Sequence, residues 1–331
     1  MQKFKLLLLA SLLSATIVSA FCQSGIVDPG ARLICAGVKD LQLPPQDQPS
    51  SDDKKALANC VSQDLYFGFG QPADPVKARK CAYLEMEQGK DDLDITGRAI
   101  LTMVYANGKG ADRNLDIALK LACEMKGAPN DLAGNVHELQ RIKDAQSMNN
   151  FNVCDHSAGR HLYKSCAILR DRFASLERAR KISAITSQWS EKEKQAFGRL
   201  QQAARRFFES RVGGEIDLQP TFEVQERAFL ENGFIAKLQQ LQRGDLPQFS
   251  GADFRKAQAE LDEIYAATQK DPNHRWGTAT AEGVRKTQQL WIDYRDAWVK
   301  FGKTKYPRVS ADSWRVWLTQ ERLAMLRTLL Y

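Results

Sequence analysis

Two groupings in this sequence bring together residue types that could do chemistry. Cys154-x-His156-x4-His161-x4-Cys166 holds two thiols and two imidazoles, a ligand set that suits tetrahedral zinc. The acidic run Glu85, Glu87, Asp91, Asp92 and Asp94 offers carboxylate oxygens of the kind calcium takes. Each has a plainer reading. Two cysteines twelve apart close a disulfide wherever the compartment is oxidising. The carboxylates lack the spacing and glycine of a calcium loop and read as a solvated turn between helices. No metal and no cofactor is expected. Catalysis has less to stand on: there is no Gly-x-Ser-x-Gly, no phosphate-binding glycine loop followed by Lys-Ser or Lys-Thr, and no His-Glu-x-x-His. The histidines are His137, His156, His161 and His274, and no acid/base pair stands out. The chain reads as a non-enzyme.

Recognition is better supplied. Gln288, Trp291, Tyr294, Arg295, Asp296 and Trp298 are followed, after a break from Gly302 through Pro307, by Trp314, Trp317 and Arg322. Trp291, Tyr294, Trp298 and Phe301 are spaced three, four and three, so they share one helix face. The plain reading is the core of a helical hairpin, with Arg295, Asp296 and Arg322 as polar ties and Arg295 reaching acidic groups such as Glu321. The functional reading is a recognition groove, because Trp, Tyr and Arg concentrate binding energy at interfaces. These nine residues are the candidates for partner contact.

The elements that would position them are helical throughout. Ser190 followed by Glu193 makes a capping box for a helix whose apolar stripe is Ala196-Phe197, Leu200, Ala203-Ala204 and Phe207-Phe208. Gly213-Gly214 is expected to end it. A further helix is expected from Glu223 to Arg243, broken by Gly244-Asp245-Leu246-Pro247. Arg243-Gly244-Asp245 spells an adhesion tripeptide, but it sits in ordinary turn chemistry. The last segment begins at Ser250 and breaks at Asp271-Pro272-Asn273. Earlier there is an internal repeat: Gly68 and Gly70 match Gly108 and Gly110, Asp74 matches Asn114, Ala78 matches Ala118, and Ala82 matches Ala122. Each copy reads as helix, glycine turn, helix, with small residues letting neighbouring helices approach closely.

Lys3 and Lys5, the apolar run Leu6 to Val18 and the small-residue site Val18-Ser19-Ala20 read as a leader cleaved after Ala20. That implies an exported protein, periplasmic or secreted, with no integral membrane segment after cleavage. All seven cysteines lie at or before Cys166. Export favours pairing, and the odd number leaves one free or intermolecular. Cys60–Cys81 is the first expected bridge and Cys154–Cys166 the second. The formal charge is +7, distributed as −3 over residues 21–150 and +4 over each of 151–252 and 253–331. No dense Lys/Arg cluster marks a nucleic-acid partner.

Two family resemblances rest on these residues. Leu-Thr-Met-Val-Tyr105-Ala-Asn-Gly108-Lys-Gly110 with Ala118, Ala122 and Cys123 resembles a Sel-one-like repeat, a relative of the tetratricopeptide family, and Leu65 to Gly70 with Ala78 and Ala82 is a more divergent copy. That resemblance implies protein–protein scaffolding. Gln288, Trp291, Tyr294, Arg295 and Asp296, then Leu318, Thr319 and Arg322, resemble the N-terminal domain of the lysozyme inhibitor LprI family over residues 253–331. Trp189, Phe197, Arg211, Glu215 and Asp217 look like features of longer exported relatives. Members of that family often carry cysteines where Trp298 and Trp314 or Trp317 stand here, so the resemblance implies a tryptophan contact in place of a disulfide clamp. It further implies a bacterial envelope protein whose partner is lysozyme or another peptidoglycan hydrolase, blocked at the cleft where two carboxylates cut the glycan. The expected fold is all-α, in five parts: a leader over 1–20, a flexible tether over 21–53, helical-hairpin repeats over 54–150, a helical middle region over 151–250, and a C-terminal helical bundle over 251–331.

Overall fold

The structure, a computed structural model, describes residues 26–90, 95–156, 160–217, 220–270 and 275–330. The leader, Cys22, Asp91, Asp92, Asp94, the break at Asp271-Pro272-Asn273 and His274 lie outside the described residues, as does the His161 side chain. The fold is all-α: thirteen helices and one two-stranded hairpin among the described residues. The chain divides into two compact units, Met1–Cys166 and Ala167–Tyr331.

The N-terminal unit holds α1 (Pro29–Val38), a 3₁₀ turn (Pro45–Asp47), α2 (Ser51–Ala56), α3 (Ser62–Phe67), α4 (Pro75–Glu87), α5 (Arg98–Asn107), α6 (Leu115–Glu124) and α7 (Pro129–Asp144). Helices α3–α4 and α5–α6 share one capping scheme. Gly68 and Gly108 end the first helix of each pair in the left-handed region, and Asp74 and Asn114 cap the second through their side chains. Ala78, Ala82, Ala118 and Ala122 are fully buried, as close helix approach requires. Disulfides join Cys60 to Cys81, Cys154 to Cys166, and Cys35 to Cys123.

The expected tether over 21–53 is corrected for its described part. Asp28 caps α1, whose Ala31, Cys35 and Val38 form one buried face against α6 and α7, and Cys35 is bonded to Cys123. Asp47 is held by Arg79 at 3.0 Å and by the Tyr105 hydroxyl at 3.0 Å, while Tyr105 also meets the Tyr83 hydroxyl at 2.8 Å. Burial raises the Tyr105 pKa, and the adjoining Tyr83 and Asp47 push it the same way. The segment is thus docked twice: α1 by its apolar face and the Cys35–Cys123 bond, and the polar, proline-rich stretch after it by the contacts of Asp47 with Arg79 and Tyr105.

Helix α8 (Arg160–Thr186) carries the boundary between the units. The C-terminal unit continues with α9 (Glu191–Ser210), a π-helical turn (Arg211–Glu215), α10 (Pro220–Gln242), α11 (Gly251–Thr268), a hairpin of β1 (Arg275–Trp276) and β2 (Ala279–Thr280), α12 (Ala281–Lys305) and α13 (Ala311–Arg327). Ser190 caps α9 with Glu193 in the reciprocal box its sequence announces. Gly213-Gly214 does not stop the chain there. The helix widens into the π turn, and at Gly283 of α12 any Cβ would collide with the Gly214 backbone. Helix α12 lies along α9, and α13 packs on α11 and α12. One hydrophobic core runs from Ile185 to Leu329, so no compact-unit boundary falls at 250/251. The middle region and the last segment fold as one body because α9 and α10 supply half of the walls.

Candidate partner-binding region

The centre of the C-terminal unit is an aromatic lattice. Tyr294 stacks on Phe207 at 5.3 Å and meets Phe208 and Trp298 edge-on. Trp298 stacks on Trp314 at 6.1 Å with 16° between the planes, and Trp317 stands edge-on to both. Offset and edge-to-face pairs of this kind add to the burial of their area. Helices α12 and α13 approach so closely because Gly302 has no side chain: a Cβ there would collide with the Trp314 indole. Burial, seconded by the Glu321 carboxylate, holds the Tyr294 hydroxyl well above its ordinary pKa.

Beside the lattice is a cluster of charge. Arg322 and Glu215 are both fully buried, and Arg322 donates from Nη1 to Glu215 Oε1 at 2.7 Å and from Nη2 to Oε2 at 2.6 Å. Arg322 Nε donates to Gln288 Oε1 at 2.8 Å, and its guanidinium lies 5.7 Å from the centre of the Phe207 ring. Arg211 donates to Glu215 as well, and its Nε reaches Glu226 at 3.4 Å. Each of the three nitrogens of Arg322 therefore donates to a side-chain acceptor and its face lies near a ring, which is what a buried guanidinium needs. The π turn places Arg211 and Glu215 together on its buried side.

Residues 236–326 match the family described as Lysozyme inhibitor LprI. The match starts in α10 and runs through most of α13. Nothing matches among curated proteins or among solved structures. The LprI-like stretch thus supplies Gln288 and Arg322 to the charge cluster, while Arg211 and Glu215 come from the chain ahead of it. Sequence reasoning had named both of these earlier residues without giving either a role. Their partner was hidden by a separation of 107 positions between Glu215 and Arg322.

The structure gathers the nine candidates for partner contact but turns most of them inward. Gln288, Trp291, Tyr294, Trp298, Trp314 and Arg322 are buried: they are core, in line with the plain reading of the stripe, and as candidates for partner contact these six are corrected. The physical reason is the stripe itself, since an apolar face at helical spacing is what α9, α11 and α13 cover. Arg295, Asp296 and Trp317 keep partial exposure. Arg295 does not reach Glu321. Its Nη1 donates to Gln258 at 3.2 Å, it pairs with Asp296 at 3.3 Å, and its guanidinium lies 5.2 Å from the Trp291 ring centre. Glu321 is taken by Lys237 at 2.6 Å.

Cys154 and Cys166 are bonded to each other and so are not free thiolates. Among the described residues no three His, Cys, Asp or Glu side chains converge as a metal site requires, and no helix is long and apolar enough to cross a membrane.

Proposed function

We propose that the chain is an exported bacterial envelope protein whose C-terminal unit binds lysozyme or a related peptidoglycan hydrolase and blocks it without chemistry of its own. The match of residues 236–326 to the lysozyme inhibitor family carries this reading. The three disulfides of the N-terminal unit support an oxidising compartment. Because six of the nine candidate residues are core, contact falls to the solvent side of α11 and α12. There Arg295, Asp296 and Gln258 form a small polar patch over Trp291. The test is the clearing of a peptidoglycan suspension by lysozyme with increasing amounts of the purified protein. A dose-dependent, saturable slowing is expected, and full activity at a large molar excess would overturn the proposal for the lysozyme tested.

A second reading has its own observation. The shared capping scheme of α3–α4 and α5–α6 supports Sel-one-like hairpins that hold a protein partner as a scaffold. Under this reading a protein reduced to the C-terminal unit keeps any hydrolase inhibition but loses a partner that full-length protein retains from an envelope extract.

A further inference from the structure

The outer face of α9 carries a row of cations that its own chain leaves unpaired. Lys192, Arg199 and Arg206 follow one another at seven-residue intervals, with Gln195 and Gln202 between them, and all five are exposed. Residues seven apart drift by only about 20° around an α-helix, so the five form one nearly straight ridge. At 1.5 Å of rise per residue, its cations stand about 10 Å apart along about 20 Å of helix. A solvated helix face ordinarily mixes its signs three or four residues apart, as Glu282 with Arg285 and Asp312 with Arg315 do here. The ridge does not. Among the described residues none of its three cations makes an ion pair. The acids ahead of it are taken, Glu191 by Lys194 and Glu193 by Lys305, both at 3.1 Å, and no other follows until Glu209. On α12, which lies along α9, the exposed Lys286 and Lys300 outnumber Asp293.

Spacing and chemistry narrow the partner. Duplex DNA carries a charge about every 1.7 Å of its axis, far denser than one cation per 10 Å or so. Bases of a single strand stack on aromatic rings, and α9 exposes none. A helix lying on a membrane buries an apolar face there, but α9 turns its own, from Phe197 to Phe208, into the core. A protein interface centres on aromatic or apolar anchors, which the ridge also lacks. A linear glycan with one ring carboxylate in each disaccharide repeats its charge at about the interval of the ridge. The hydroxyls between those carboxylates suit Gln195 and Gln202, whose amides both donate and accept. We propose that the outer ridge of α9 binds an extended acidic polysaccharide of this kind, with one uronate to each of Lys192, Arg199 and Arg206. The proposal does not rest on the inhibitor reading, whose matched residues begin at 236.

The experiment is calorimetric titration of the full chain with hyaluronan hexasaccharide, a linear glycan bearing three such carboxylates. At about 0.01 M salt the Debye length, about 30 Å, exceeds the spacing of the ridge. Exposed ion pairs are individually weak, so a Kd of about 0.1–1 mM is expected. The disaccharide should bind at least tenfold more weakly, and about 1 M salt should abolish binding of the hexasaccharide. Arg199→Glu should weaken binding at least tenfold, and Arg199→Lys less than threefold. Lys256→Glu makes the same change of charge at an exposed position on α11 and should also cost less than threefold. Surface changes of this kind leave stability nearly unaltered, which circular dichroism checks. Absent heat, a disaccharide as tight as the hexasaccharide, or equal effects of Arg199→Glu and Lys256→Glu would overturn the proposal. So would a short DNA duplex or phosphatidylglycerol vesicles bound tenfold tighter than the glycan at about 0.15 M salt.

Discussion

Replacing Glu215 by alanine isolates the charge cluster from the aromatic lattice around it. The wild-type carboxylate accepts two bonds from Arg322, at 2.7 and 2.6 Å, and a further one from Arg211. After the change Arg322 keeps Gln288 alone as a side-chain acceptor and remains fully buried, while Arg211 keeps Glu226. Removing one member of a buried pair typically costs about 3–5 kcal/mol, because the surviving charge stays desolvated. For a unit of this size that corresponds to a fall in Tm of roughly 6–20 °C. Replacing both partners, as Glu215→Leu with Arg322→Met, removes the orphaned charge and should recover most of the loss. The readout is selective. All six tryptophans lie between Trp189 and Trp317, within the C-terminal unit. Urea unfolding followed by tryptophan emission therefore reports that unit and not the other. A Glu215→Ala protein within about 1 kcal/mol of wild type would refute the account, as would a double variant no better than the single one.

Four further outcomes are expected. Reductant should lower the melting of the N-terminal unit, seen by far-UV circular dichroism, and leave the tryptophan transition in place, because Cys35–Cys123, Cys60–Cys81 and Cys154–Cys166 all fall in that unit. Gly302→Ala should destabilise the C-terminal unit by about 1–3 kcal/mol through collision with Trp314, measured by urea midpoint. Arg295→Ala should cost about 1–2 kcal/mol, for loss of the Gln258 bond and the stacking on Trp291, checked the same way. Bonds from Lys80 and then Ser50 lower the Asp53 pKa from 3.8 to about 2, so its contribution is present above pH 3.8 and lost as pH falls through 2. Asp53→Asn should accordingly flatten the acid limb of N-terminal-unit stability over that window.

Much of this molecule was legible in the sequence wherever local chemistry decides structure. The capping box at Ser190, the left-handed glycines at Gly68 and Gly108 and the stripe on α12 each depend on residues within one or two turns. The tryptophan contact in place of a disulfide clamp came from the family resemblance and is present as Trp298 stacked on Trp314. What stayed hidden was set by distant partners. Nothing near Asp47 announces Arg79 and Tyr105, and nothing near Arg322 announces Glu215. Arg295 was paired with Glu321 on the logic of neighbouring helices, yet Lys237, from a helix the pairing ignored, holds that carboxylate. Polar burial through pairing carries no hydropathy signal, so it is where reading from sequence fails. The candidate site was ambiguous for a related reason, since an aromatic stripe looks alike whether it faces a partner or another helix of its own chain, and here the plain reading as core holds for six of the nine residues.

The bond between Cys35 and Cys123 closes a ring of chain with a sequence separation of 88, and the Cys60–Cys81 bond lies inside that ring. A protease that cuts the backbone once anywhere between Cys35 and Cys123 opens the ring but releases no fragment, because both ends stay on one covalent frame. Helix α1, pinned to α6 by that bond, remains attached after such a cut. In surroundings rich in secreted proteases, a nicked N-terminal unit would migrate as intact protein until a reductant is added.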